Sequence, residues 1–241
     1  MPRPPAPARP RRTQAERTQS TQRKLIDGAI DLLKKKRYAS FRTAEVAEHA
    51  GVSKGAQTHH FPSKDMLVLQ ALEEVYRRTQ QRAINRIEAG RDAPERLLEQ
   101  LVADSREFFL GDDFLLSLDL MMVDPGSTLG SDVKRLAQLY RLPVEQAWLD
   151  ALVEAGHPER QAKDVVRLTF AIARGFGVRQ LIAGEDEEFQ HLMDSWMRMA
   201  KAMLLLSSSP SAHADQGASG SSVSRPSRAS PPRRTRKKDP S

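Results

Sequence analysis

The 241-residue chain contains no cysteine. A disulfide framework, a thiolate-held metal and a cysteine nucleophile are therefore excluded. Aromatic residues are scarce at 5%, and hydrophobic residues reach only 39%, which implies segments that build no core. No run approaches the ~20 apolar residues of a membrane span. The most apolar stretch, FFLGDDFLLSLDLMMVD, is broken by Asp112, Asp113 and Asp119. The start, MPRPPAPARPRR, is positive but no apolar segment follows it, so no secretory signal is read. Period-2 alternation is missing, and no sheet is expected. Also missing are a nucleophile–base pair, a paired-carboxylate signature, a phosphate loop and metal-ligand spacing. The chain is read as a soluble, cytoplasmic protein with no membrane partner, no enzymatic activity, no cofactor and no metal.

What is present is charge, unevenly placed. The formal net charge is +7. Residues 1–24 carry net +6, 25–64 net +3 and 207–241 net +5, while 65–206 carries net −7. Both ends are basic and the large middle is acidic, which suits a polyanion-binding front joined to a body that avoids polyanions. Residues 1–19 and 207–241 are rich in Pro, Arg, Ser and Thr without apolar periodicity, and both are expected to be disordered.

The rest reads as helix throughout. Leu25, Ile26, Ala29, Ile30, Leu32 and Leu33 recur at spacings of three and four, which predicts a first amphipathic helix. Short helices follow at Thr43–His49 and from Ser53 to about His60, where Phe61-Pro62 must stop the second. Ser63 then caps a long helix from Lys64 to about Ala89. Further helices are expected at 93–110, 113–122, 128–140, 143–155, 159–183 and 186–206, punctuated by proline and glycine.

Ala47-Glu48-His49-Ala50-Gly51-Val52-Ser53-Lys54-Gly55 carries the functional signal. Two short helices meeting closely need a small residue at the approach, here Ala47. The turn needs a residue that tolerates positive φ, here Gly51. Val52 fills the angle between the helices, and Ser53 can cap the second. This is the pattern of a helix-turn-helix, whose second helix enters the DNA major groove.

From Leu25 to Leu69 the sequence resembles the DNA-binding domain of TetR-family transcriptional regulators, through LIDGAIDLL, RYASFRTAEVAEHAGVS and KGAQTHHFPSKDML. The resemblance implies an all-α protein with a three-helix DNA-binding domain at 20–66 and a larger helical ligand-binding and dimerisation domain at 67–206. It places Lys54, Gly55, Ala56, Thr58 and His59 toward the groove. Arg42, Thr43 and Lys64 are assigned to the DNA backbone, with Lys64 meeting a phosphate at a helix N-terminus, and His60 either touches the backbone or positions the fourth helix. Three departures stand out. Arg37 precedes Tyr38 where the family often has glycine, so that turn must manage without a free positive-φ residue. Phe41-Arg42 replaces a common Thr-Thr, and Gln57-Thr58 replaces a common Leu-Tyr, with Gln57 a polar group able to read adenine. His59 and His60 point about 100° apart on a helix and do not suit one metal ion.

In the body, Phe109, Phe114, Asp119, Met122, Trp148, Phe170 and Arg174 are the candidate ligand-binding residues. Asp119 and Arg174 are charges inside apolar stretches and must be paired or meet a ligand. Helices 159–183 and 186–206 correspond in position to the family's dimerisation helices, with Gly175 and Gly177 permitting close approach. The expected function is a sequence-specific, homodimeric DNA-binding regulator, a repressor released from a palindromic operator by a small-molecule ligand. The alternative is nonspecific or architectural DNA binding driven by the basic tails.

Overall fold

The computed structural model describes residues 13–91, 93–123, 126–183 and 188–206. The basic segment 1–12 and the tail 207–241 lie outside them. Every regular element among the described residues is helical. The helix α1 (Gln14–Ser40) starts at a capping box: the Thr13 hydroxyl accepts from the Glu16 N–H at 3.2 Å, and the Glu16 carboxylate accepts from the Thr13 N–H at 2.7 Å. Residues 14–19, expected to be disordered, are therefore helical. The apolar stripe begins only at Leu25, so the stripe did not reveal the first turns, whereas two satisfied backbone donors anchor them.

Helices α2 (Thr43–His49), α3 (Lys54–His60) and α4 (Lys64–Arg91) start and stop close to the expected positions. The Ser63 hydroxyl accepts from the Met66 N–H at 3.1 Å at the start of α4. A 3-10 turn, Pro94–Arg96, leads into α5 (Leu97–Phe109), followed by α6 (Asp112–Met121). Two expected helices, 128–140 and 143–155, are one: α7 runs Thr128–Glu154 straight through Pro143. Proline removes one N–H from the helical ladder. Leu139, Leu142 and Pro143 lie on the exposed side, where water can serve the Leu139 carbonyl left without its partner. Helices α8 (Glu159–Ala183) and α9 (Glu188–Leu206) complete the described fold.

The long helix α4 is the organising element, packing against α1, α5 and α7. Its Leu67, Leu72, Val75, Tyr76 and Ile87 are buried. The three front helices contribute Leu25, Ala29, Leu33, Phe41, Val46 and Phe61 to the same apolar cluster, so the front block shares its core with α4 rather than closing one of its own. On α8, Gly177 lies against the end of α5: a Cβ there would meet the Phe109 carbonyl oxygen at 2.1 Å. Its small size thus serves packing within the chain, while Gly175 faces open space.

The turn that ends α1 corrects another expectation. Arg37 itself takes the positive-φ conformation, φ 63° and ψ 166°, which an L side chain adopts only at a cost of about 1–3 kcal/mol. Its Nη1 is buried and makes no hydrogen bond, so the side chain repays little of that strain. Replacing Arg37 with glycine is expected to raise the melting temperature of the full-length protein by about 2–4 °C. An unchanged or lower melting temperature would show that the arginine side chain compensates elsewhere.

Candidate nucleic-acid interface

The turn between α2 and α3 has the geometry its sequence requires. Gly51 sits at φ +62°, and no neighbouring atom lies within 4 Å of where its Cβ would be. The Val52 N–H donates to the Ala47 carbonyl at 2.9 Å, and the Ser53 hydroxyl accepts from the Ala56 N–H at 3.2 Å. These bonds orient α3 so that Lys54, Gly55, Thr58 and His59 are exposed and Ala56 and His60 are half-buried. The His59 and His60 rings meet edge to face at 5.5 Å.

Gln57 behaves differently from the expectation. It is only 4% exposed, and its Nε2 donates to the Phe61 carbonyl at 2.9 Å. It ties off the C-terminal end of α3 from inside and cannot reach a base edge. On a seven-residue helix, residue 57 lies on the face opposite the exposed one, and an amide can serve a buried carbonyl as readily as a base.

Arg42 is exposed at the start of α2, with Nη1 donating to the Ala39 and Phe41 carbonyls at 3.1 Å each; Thr43 beside it is half-buried. Lys64 is more occupied than a free phosphate contact would be. Its Nζ donates to the Tyr38 carbonyl at 3.0 Å and lies 3.7 Å above the Tyr38 ring. Burial lowers its pKa, and the nearby Arg42 charge lowers it further, partly offset by Asp65. The N-terminus of α4 is thereby fastened to the C-terminus of α1.

The same turn is held from the body. The Tyr38 N–H donates to Asp119 Oδ2 of α6 at 2.7 Å. Asp119, expected in a ligand pocket, is therefore the partner of a backbone amide at the junction. Six residues earlier on α6, Asp113 takes Lys34 of α1 at 2.6 Å and Arg82 of α4 at 2.8 Å. A chain of charged contacts continues from there: Arg82 to Glu107 at 2.8 Å, Glu107 to Arg86 at 2.6 Å, Arg86 to Asp104 at 4.0 Å, and Asp104 to the Trp148 indole N–H at 3.2 Å. Burial opposes ionisation of Asp113, but the hydrogen bonds from Lys34 and Arg82 and their charges outweigh it, and its pKa lies below the ordinary value.

Among the other expected pocket residues, Phe109, Phe114 and Phe170 do come together, with ring centres 5.3 and 5.7 Å apart. Arg174 reaches over Phe109 at 5.2 Å. Met122 is 75% exposed and Trp148 fully buried, so neither lines a chamber with them: α6 ends at Met121, and the Trp148 indole is bonded to Asp104. An open groove of about 760 Å³ between α5, α8 and α9, bordered by Arg106, Gln180, Phe189 and Met193, includes none of the expected lining residues. Sequence reading missed Arg141, whose guanidinium lies 3.7 Å from the Phe108 ring centre. The supposed break at Pro143 put Arg141 at a helix end. In the continuous α7 it shares a face with buried Val144 and Trp148 at spacings of three and seven.

Residues 25–71 match the family model described as bacterial regulatory proteins, tetR family. The chain is 40% identical over 192 residues to the HTH-type transcriptional regulator CymR of Pseudomonas putida, covering 79% of this chain and 94% of that one. Among solved structures, a transcriptional regulator from Rhodococcus sp. Rha1 is similar with a TM-score of 0.57 at 19% identity, over 75% of this chain and 96% of that chain. The multidrug binding protein EbrR complexed with imidazole gives 0.54 at 18%, over 80% and 98%. At such identities these two likenesses concern the fold. No helix among the described residues is long and apolar enough to cross a membrane.

Gln57→Ala should lower stability by about 1–2 kcal/mol, since a buried carbonyl loses its donor, without altering which DNA sequences are preferred; an altered base preference would return Gln57 to the interface. For Asp113 the depressed pKa fixes the sign. Its stabilising contribution is complete above the ordinary carboxylate range and is lost as pH falls through the lower folded value. Urea midpoints between about pH 3 and 7 should show a shallower acid limb for Asp113→Asn than for the wild type.

Proposed function

The chain belongs to the TetR family of bacterial transcriptional regulators, and on that basis we propose that it is a homodimeric repressor which leaves a pseudo-palindromic operator when a small molecule occupies its helical body. The observation that carries the DNA-facing half is the geometry of α3. Gly51 and Ser53 set its direction, Gln57 and Phe61 anchor its inner side, and Lys54, Gly55, Thr58 and His59 remain exposed. Lys54 and Thr58 read bases, while Arg42, Thr43, His60 and Lys64 contact the backbone. In this reading the head comprises residues 20–66 and the body 67–206.

A second copy is supported by an apolar stripe along α8 and α9. Leu168, Val178 and Ile182, together with Ala171 and Gly175, are exposed at helical spacing on α8; Leu192, Met199 and Leu205 are exposed on α9. Pairing the stripe with itself by two-fold symmetry gives a four-helix interface and sets two α3 helices on successive major-groove faces, about 34–36 Å apart. Repression follows from promoter occupancy, and the ligand and DNA weaken each other's binding by the same factor. The cytoplasm is the compartment this role requires.

Selection of the full-length protein against random duplex DNA at physiological salt tests this reading. Enrichment of an inverted repeat is expected. Affinity without enrichment, collapsing as salt rises, would instead favour sequence-independent binding through the basic ends. On the selected site, Lys54→Ala should change the base preference. Lys64→Ala should weaken all sequences alike and reduce the salt slope by about 1, with some loss of thermal stability because Tyr38 is released. Uniform weakening by Lys54→Ala would assign that lysine to the backbone.

A further inference from the structure

Helix α6 meets the end of α1 with two carboxylates. Asp113, in its first turn, pairs with Lys34 at 2.6 Å. Asp119, six residues on, accepts the Tyr38 N–H through Oδ2 at 2.7 Å. Lys34 and Tyr38 are four residues apart, so α6 holds α1 at both ends of its last regular turn. The hold at Tyr38 falls where the chain leaves the helical path, because Arg37 just before it sits at φ 63° and ψ 166°. The rest of Tyr38 is tied to the DNA-facing side. Its carbonyl accepts from the Phe41 N–H at 3.2 Å and from Lys64 Nζ at 3.0 Å, and its hydroxyl donates to Asp65 Oδ1 at 3.3 Å. Phe41 is fully buried, and Arg42 leads directly from it into α2.

We propose that Asp119 sets the operator spacing this protein accepts: by holding the Tyr38 amide it fixes the DNA-facing helices against the body, so that a dimer presents its two α3 helices at one separation. This rests on the homodimer reading above. Base preference and spacing depend on different parts of the chain. The direction of α3 is local, fixed by Gly51, Ser53 and Gln57. Its distance from the α3 of a second copy depends on everything between α3 and the stripe on α8 and α9. Along that route the front helices share one apolar cluster with α4. Apolar packing is non-directional and permits small rotations, whereas a charge-assisted bond to an N–H is short and aimed. Asp119 makes such a bond from α6, in the body, to α1, in the head. Lys64 cannot play this part, because α4 runs through both. Asp113 holds a lysine whose four-carbon stem can follow a shift; a backbone amide moves only with the chain itself.

DNA makes separation a sharp criterion. Each base pair added between two half-sites moves them about 3.4 Å further apart and turns one against the other by about a tenth of a helical turn. A head that cannot follow gives up base contacts on one half-site, and each one lost costs about fivefold or more in affinity. A head released from α6 can follow the displaced half-site and keep them.

The test uses full-length wild type, Asp119→Ala, Asp119→Asn and, as a stability control, Val133→Ala, a truncation in the buried core of α7. The selected operator is remade with one base pair added at its centre and with one removed, and affinity is measured at physiological salt. The wild type should lose about tenfold or more on either altered spacer, and Asp119→Ala about threefold or less, with base preference inside each half-site unchanged. Asp119→Asn keeps an oxygen that can accept from Tyr38 and should retain most of the discrimination. Val133→Ala should melt lower yet discriminate as the wild type does. Amide exchange reads the hold without DNA: Tyr38 should exchange faster in Asp119→Ala while the α3 amides stay unchanged. Asp119→Ser, too short to reach the amide, serves if the alanine variant misfolds. The proposal is overturned if Asp119→Ala keeps the wild-type discrimination, if Val133→Ala loses it equally, or if Tyr38 exchanges alike in both proteins. A wild type that selects an inverted repeat but binds all spacers equally sinks the spacing role and leaves the operator reading standing. A wild type that selects no inverted repeat sinks the operator reading, and the spacing role with it.

Discussion

The backbone amide of Tyr38 is where the two ends of the molecule meet. Its N–H is held by Asp119 from α6, and its carbonyl by Lys64 from α4. The residue before it, Arg37, is strained at φ 63°, and a strained turn persists only when its surroundings over-determine it. Two charged side chains on the two peptide groups flanking the Tyr38 Cα do so. Because α1 ends there and α2 and α3 follow directly, the placement of the DNA-facing helices relative to the body depends on this unit. It is also the natural point for a change in the body to be felt outside it.

Behind the junction lies a ladder of charge, from Lys34 through Asp113, Arg82, Glu107, Arg86 and Asp104 to Trp148, crossing α1, α6, α4, α5 and α7. Individual pairs that water can reach contribute little to stability. As a connected set they constrain register, because moving one member leaves a neighbour unpaired in a partly desolvated setting. This gives the body's negative net charge a second use beyond avoiding DNA: several of its acids pair with half-buried arginines. Arg141 lies beside the ladder with its guanidinium over the Phe108 ring rather than on one of the ladder's carboxylates.

How legible a residue was depended on whether its role was local. Gly51, Ser53 and Ser63 were readable because a positive φ and a helix cap are decided within three residues of chain. The departure from glycine at Arg37 was visible too, but not its resolution. Nothing in the sequence says that the arginine itself would take the strained conformation, with Asp119, 82 residues away, holding the next amide. Gln57 was misassigned because an amide pointing out of a short helix and one pointing in have the same letter; the direction depends on how α3 packs against α2. Pro143 was read as a break because its missing N–H counts against a helix, whereas the packing of Val144, Trp148 and Leu152 keeps α7 continuous.

The sequence by itself determined the class of the protein: helices throughout, a helix-turn-helix near the front, a basic front and an acidic body. Hydrophobic spacing, capping and charge run are properties of neighbouring residues and need no third dimension. Only the tertiary structure decided which polar groups were left for a ligand or for DNA. Asp119, Asp104 and Gln57 are all plausible site residues as letters, and all three are engaged once the helices pack. Arg141 drew no notice as a letter and comes to lie over the Phe108 ring once they do. Pairing is a property of distance between elements, and that distance is set by the packed core around α4 rather than by position along the chain.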